Sequence, residues 1–392
     1  MSEPSSQEEL PAVLVGGPPH SGKSVLIYSL SQALRARGVD HYALRACPDG
    51  EGDWSNQAPP PLVKEIRLKG SWTPQWVQWI SRDIRCRRLP LLVDVGGRPT
   101  PEQAAMFGLC THAVLLTPDA EARARWTELV QRHGLHIVAD LTSDLRGQNR
   151  LDSAAPVVQG VLAGLERHRT AEGPAFDALV ERLAAVMACD RAALRRRHLE
   201  AAPADIELVI DLERLARTLG VPHQGEQSVW APEHLPALLD YLPAGQPLAI
   251  YGRAPVWVYA ALARLAWPSR FALFDVRLGW VEAQALPTAA EPPAGPVAWR
   301  VHAAGDAVRL VAALPEHYVD ITQLPEVTAP RLPEGVGVIL DGKLPTWLFA
   351  SLAQTYAGAP WLAVYYPQGR GAVVVHSAGR GPAVGETVDG ER

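Results

Sequence analysis

In the first part of the chain, short unbroken apolar runs alternate with stretches where apolar residues recur every three or four positions. The runs Ala12–Val15, His41–Ala46, Leu89–Val95, Ala113–Leu116 and His136–Ala139 read as buried strands. Between them Val25, Leu26, Leu30 and Leu34 keep helical spacing, and Glu121 to Gln131 forms a second helical stretch. Strands alternating with helices predict a parallel sheet covered on both faces, with a ligand at the carboxyl edge of the strands. The pattern closes a first domain at residues 1–165. A helical connector is expected over 166–202, with Phe176, Leu179, Leu183 and Val186 along one side. It ends in Arg195, Arg196, Arg197 and His198, a run that reads as a solvated helix end at the negative pole of the dipole, with polyanion contact as the alternative.

The C-terminal half repeats its own pattern. Leu248–Ala263 aligns with Val338–Ala353 at an offset of 90 residues (338 − 248), and both copies run on into a second apolar strand, Arg270–Phe274 and Trp361–Tyr365. Each copy is strand, Gly-basic-x-Pro turn, helix, strand. The period exceeds the ~20–50 residues of solenoid repeats and predicts two tandem small α/β domains, 203–297 and 298–392.

Composition narrows the class. The chain has 392 residues, 47% of them hydrophobic and 20% charged, which is globular composition with room for about two to three domains. A net charge of −5 gives no general nucleic-acid footprint, so a polyanion site has to be local. Cys47, Cys86, Cys110 and Cys189 lack C-x-x-C spacing, which points away from a zinc cluster or a disulfide framework. The polar, acidic start resembles no signal peptide and no apolar run reaches the ~18 residues of a membrane span. A cytoplasmic protein without membrane contact, acting as a homo-oligomer, is expected.

The most specific chemistry lies where the first strand meets the first helix. Gly17-Pro18-Pro19-His20-Ser21-Gly22-Lys23-Ser24 fits the phosphate-binding pattern G-x-x-x-x-G-K-S of a P-loop NTPase. Gly17 and Gly22 let the backbone curl around an anion, Ser21 sits in the curl, Lys23 reaches the β- and γ-phosphates of ATP, and Ser24 offers a hydroxyl to Mg²⁺. Asp94, delivered to the carboxyl end of the Leu89–Val95 run, is the expected second ligand of that metal. Asp49, Glu51 and Asp53 form an acidic loop. A carboxylate there would accept a substrate proton, bind metal, respond to the γ-phosphate or simply face solvent.

In the repeats, Gly252-Arg253-Ala254-Pro255 and Gly342-Lys343-Leu344-Pro345 each place a cation and a proline at a helix start, where free N–H groups suit an anion. Plain turn punctuation is the alternative. Trp257 and Trp347, which follow, read as core.

At these residues the chain resembles the CRISPR-associated ring nucleases of the Csx-three family, which degrade cyclic tetra-adenylate and include members fused to a P-loop ATPase. Phe274-Asp275-Val276-Arg277-Leu278-Gly279 matches the family's Asp-x-Arg pattern, and Gly371–Val375 its valine strand. Gly385-Glu386-Thr387-Val388-Asp389 is similar to its closing strand, and the segment Arg45–Trp54 resembles its fused ATPase. The resemblance implies catalysis by Asp275 and Arg277, with Asp49 and Glu51 serving the ATPase, and cyclic tetra-adenylate held by Gly252, Arg253, Pro255, Gly342, Lys343 and His376. It also implies ATP and Mg²⁺, with Mn²⁺ as a further ion. The copies depart from the pattern. The second has Tyr366 and Gln368 in place of Asp and Arg, the first lacks the valine strand, and His376 falls two residues short of the family's later histidine. Asp275 and Arg277 also fit a surface ion pair. Two functions stand: an ATPase-coupled ring nuclease, or a sensor or sponge of the cyclic nucleotide whose P-loop domain does the only chemistry.

Overall fold

The computed structural model describes residues 10–47, 73–167, 169–224, 227–316, 318–369, 371–379 and 381–389. The chain is mixed α/β with mostly parallel pairing, in two compact units: Met1–Leu194 with Val276–Leu278, and Arg195–Asp275 with Gly279–Arg392. No helix among the described residues is long and apolar enough to cross a membrane.

In the first unit, β1 (Ala12–Gly16) is buried throughout and pairs in parallel with β3 (Leu91–Val95) on one side and β4 (His112–Thr117) on the other. With β2 (Tyr42–Ala46), β5 (His136–Asp144), β6 (Arg150–Ser153) and β7 (Val158–Ala163), the sheet order is β2-β3-β1-β4-β5-β7-β6, and β6 alone runs against its neighbour. The chain visits β2 and β3 before crossing to β4, so the strand order reverses at β1 and leaves a crevice over its carboxyl end.

Helix α1 (Lys23–Ala36) packs on one face, where Val25, Leu26, Leu30 and Leu34 meet Val13, Val15, Leu92, Val114 and Leu116. Helix α2 (Pro74–Arg85) is capped by Thr73, and α3 (Ala120–Arg132) covers the opposite face. There Gly16 makes room for Trp126, since a Cβ would fall 2.7 Å from Trp126 Cε3. The connector expected over 166–202 is divided. Helix α4 (Pro174–Val186) buries Phe176, Leu179, Val180 and Leu183 in the same core as α1. At about 1.5–3 kcal/mol per buried apolar side chain, it is part of the first folding unit.

The second unit holds both repeats. The first sheet, ordered β11-β10-β9-β8, comprises β8 (Leu208–Asp211), β9 (Leu248–Tyr251), β10 (Phe271–Asp275) and β11 (Gly279–Ala283), with α5 (Arg191–Glu200) straddling the unit boundary, α6 (Leu212–Thr218) after β8 and α7 (Val256–Ala266) after β9. The second, ordered β12-β13-β14-β15-β16-β17, comprises β12 (Ala298–Ala304), β13 (Ala307–Ala313), β14 (Gly337–Gly342), β15 (Trp361–Tyr366), β16 (Gly371–Ser377) and β17 (Thr387–Val388), with α8 (Thr346–Thr355) after β14.

The repeat is longer than the sequence suggests. Leu208 lies opposite Leu248 as Val308 lies opposite Val338, so β8 and β13 are equivalent opening strands. In place of the valine strand that the first copy lacks in sequence, β11 runs antiparallel to β10. It alternates buried and half-buried residues, as a strand covered on one side does, whereas the first five residues of β16 are all buried. Helices α7 and α8 pack on each other, α7 also reaches β15 and β16, and α8 reaches β11. Eight of the eleven residues of α7 and eight of the ten of α8 are buried, which makes them core helices that neither repeat covers alone.

Candidate functional site

Two sets of turns, one in each unit, hold several of the residues singled out in the sequence. In the first unit, the turn from β1 to α1 is shaped by close approach. A Cβ on Gly17 would lie 2.1 Å from the Leu116 carbonyl oxygen and 3.0 Å from Ser21 Oγ. Gly22, at φ 87°, caps α1 without a side chain and would strike Leu165 at 2.7 Å if it had one. Lys23 is folded back, its Nζ donating to the Gly17 and Pro18 carbonyls at 2.8 Å each. Ser24 follows in the first turn of α1. The loop after β3 seals one wall, because a Cβ on Gly97 would come 2.3 Å from Pro19 N.

The register places Asp94 beside Val15 on one side and Arg45 on the other. Its carboxylate is buried and lies 3.3 Å from Arg45 Nη2. Two hydroxyls at this edge, Ser21 Oγ and Thr117 Oγ1, are buried with no hydrogen-bond partner among the described residues. Thr117, at the end of β4, belongs to no motif, and its only sequence signal is a polar residue closing an apolar run. Asp49, Glu51 and the rest of the acidic loop lie outside the described residues.

In the second unit the two Gly-basic turns are near copies. From Tyr251 to Ala260 and from Asp341 to Ala350 exposure follows the same order, with Arg253 and Lys343 exposed and Trp257 and Trp347 fully buried. Gly252 and Gly342 take φ 115° and 142°, and a Cβ on Gly342 would lie 2.2 Å from the Ala312 carbonyl oxygen. Pro255 and Pro345 occupy the N-cap positions, and both carbonyls accept from the third residue on at 3.0 Å. Both tryptophan indole N–H groups lack a partner among the described residues. Trp257 meets the Tyr366 ring edge-on at 6.5 Å.

The residue before each glycine is held differently. Tyr251 shares a hydrogen bond of 3.0 Å with His198 Nδ1. His198 packs on Phe274 at 4.5 Å, and its carbonyl accepts from Trp280 Nε1 at 2.8 Å. Arg195 pairs with Asp211, which caps α6 by accepting from Glu213 N and Arg214 N. The basic run is thus only partly solvated: Arg196 and Arg197 are exposed, while His198 is buried. In the second repeat the corresponding residue is Asp341, held by the buried Arg309 at 2.6 Å, whose guanidinium also lies 4.5 Å from the centre of the Tyr365 ring.

Asp275 ends β10 opposite Gly279. Arg277 groups with the first unit, where its Nη1 lies 3.8 Å from Asp83 Oδ2. Asp275 and Arg277 therefore fall in different units. His376 accepts from Arg264 Nη2 of the first repeat at 3.1 Å. Burial first, and the Arg264 charge second, push its pKa down to about 4, so the ring is neutral at pH 7 with Nε2 as acceptor. Among the described residues no three His, Cys, Asp or Glu side chains gather as a metal cluster.

Residues 312–389 match the CRISPR-associated protein family Cas_csx3. The Cas_csx3 match begins at the end of β13 and runs through β17, so it takes in the part of the second repeat that carries Gly342, Lys343 and His376. It supports a CRISPR-related role for residues 312–389. No curated protein matches the chain.

Proposed function

We propose that the second unit binds cyclic tetra-adenylate through its two Gly-basic turns and opens the ring, while the first unit binds and hydrolyses ATP with Mg²⁺. The observation that carries the reading is the pair of matched turns, Gly252-Arg253 and Gly342-Lys343, in a unit whose second repeat matches a CRISPR-associated family. Two cationic helix starts in one body suit a ligand with repeated phosphates, because the second contact forms at high effective concentration. Ring opening joins a ribose 2′-oxygen to the adjacent phosphorus and breaks the bond to the next 5′-oxygen. The proton leaves the 2′-hydroxyl and one is delivered to the 5′-oxygen. Arg253 and Lys343 would offset the charge that builds on the phosphoryl oxygens, and Asp275 would orient the hydroxyl.

A triphosphate fits the first unit on this chain's own chemistry. The Gly17 cradle, the buried hydroxyls of Ser21 and Thr117 that have no partner among the described residues, and the Lys23 ammonium resting on two carbonyls all suit an arriving anion. Ser24 and Asp94 would hold Mg²⁺, which offsets phosphate charge when bound.

A second reading, binding without cleavage, draws support from Tyr366 standing where the first repeat has Asp275 and from the engagement of His376 with Arg264. Incubating the full chain with labelled cyclic tetra-adenylate, with and without Mn²⁺ and ATP, separates the two. Linear products support ring opening, a shifted but intact ring supports sensing, and no binding removes both. Lys23→Ala should abolish ATP turnover, and wild-type turnover in that variant would exclude the glycine turn as its site.

A further inference from the structure

One difference between the two Gly-basic turns is a buried hydroxyl. Tyr259, one turn into α7, donates to the Gly252 carbonyl, and the equivalent residue of α8 is Phe349 (349 − 259 = 90), as buried but with no hydroxyl to give. Gly252, at φ 115°, lies where a side chain would be strained, and glycine has the freedom to let the peptide that follows turn over. That peptide is planar and trans, so its C=O and N–H point in opposite directions. Fixing the Gly252 oxygen on the helix side therefore aims the Arg253 N–H away from that side. Burial holds the Tyr259 pKa far above its ordinary value against the opposing pull of the Arg253 charge, so the group remains a donor across the physiological range.

We propose that Tyr259 is the positioning residue of the first turn, making Gly252-Arg253 a preorganised phosphate half-site for cyclic tetra-adenylate and leaving Gly342-Lys343 as the adaptable half. This rests on the binding reading above. Phosphate reaching the first turn finds one backbone donor already oriented, and the ordering cost of that peptide is met by the fold. At the second turn that cost falls on binding.

The test is calorimetric titration of the full chain with cyclic tetra-adenylate, using wild type, Tyr259→Phe, Arg253→Ala and the double variant. Tyr259→Phe keeps the ring and copies the second repeat, so the melting temperature should move little while affinity falls about three- to tenfold. In the Arg253→Ala background the same change should have almost no further effect, because the hydroxyl acts through that turn. Wild-type affinity in Tyr259→Phe, or losses that add in full in the double variant, would overturn the inference while leaving the binding reading intact. No binding by wild type would remove both.

Discussion

The two repeats of the second unit share a backbone and differ in what supports it. Ahead of one glycine, Tyr251 is braced by His198, Phe274 and Trp280; ahead of the other, Asp341 is braced by Arg309 under Tyr365. A ring cluster with one shared hydrogen bond and an ion pair whose arginine is buried thus do the same mechanical job. The lesson is that the strand, turn and helix geometry is the duplicated quantity, while the side chains behind it are interchangeable where they keep the turn in place. Their energetics are not interchangeable. Apolar ring contacts tolerate loss of one member by partial collapse, whereas an ion pair stripped of one partner leaves a charge without compensation.

The largest test of that contrast is Arg309→Met. It strands the Asp341 carboxylate and should destabilise the second unit by about 3–5 kcal/mol in urea unfolding, with Arg309→Met/Asp341→Leu recovering most of the loss. A loss under 1 kcal/mol would mean the two supports are equivalent after all. Next in size is the comparison of Arg253→Ala with Lys343→Ala. Each should weaken cyclic tetra-adenylate binding by roughly 1.5–3 kcal/mol, the range for a charged hydrogen bond, with the arginine change at the upper end. A larger loss at Lys343 would reverse the assignment of the preorganised half.

The smallest effect concerns His376, which joins the repeats through Arg264. Its folded pKa, near 4, lies below the usual 6.5, so the unfolded chain binds the extra proton first. The contribution is complete above pH 6.5 and is lost as pH falls toward 4. For this partly exposed ring the loss should be on the order of 1 kcal/mol, read as a slope in unfolding free energy that His376→Gln flattens. A slope unchanged in that variant would place the titration elsewhere.

Local signals carried much of this structure. Unbroken apolar runs gave β1 and β3–β5 their places, the G-x-x-x-x-G-K-S spacing marked the turn, and the offset between copies located both helices. What escaped depended on partners far along the chain. The sequence Gly279-Trp280-Val281-Glu282-Ala283 is a strand because β10 lies beside it, and its single buried face leaves only three inward residues as a signal. His198 looks like part of a charged helix end until Tyr251, 53 positions later, and Phe274 enclose it. The α4 stripe was visible as amphipathic, but nothing within it says which core it joins.

The docking of α7 on α8 relates two halves that are encoded once each. An assembly of two identical chains carries every substitution twice, at positions related by its axis, so a change useful on one side is imposed on the other. Tandem copies escape that rule. Asp275 persists on β10 while Tyr366 takes its place on β15, and Tyr259 keeps a hydroxyl that Phe349 lacks. The pair can therefore drift toward a division of labour one residue at a time, with the fold itself as the only feature both halves must preserve.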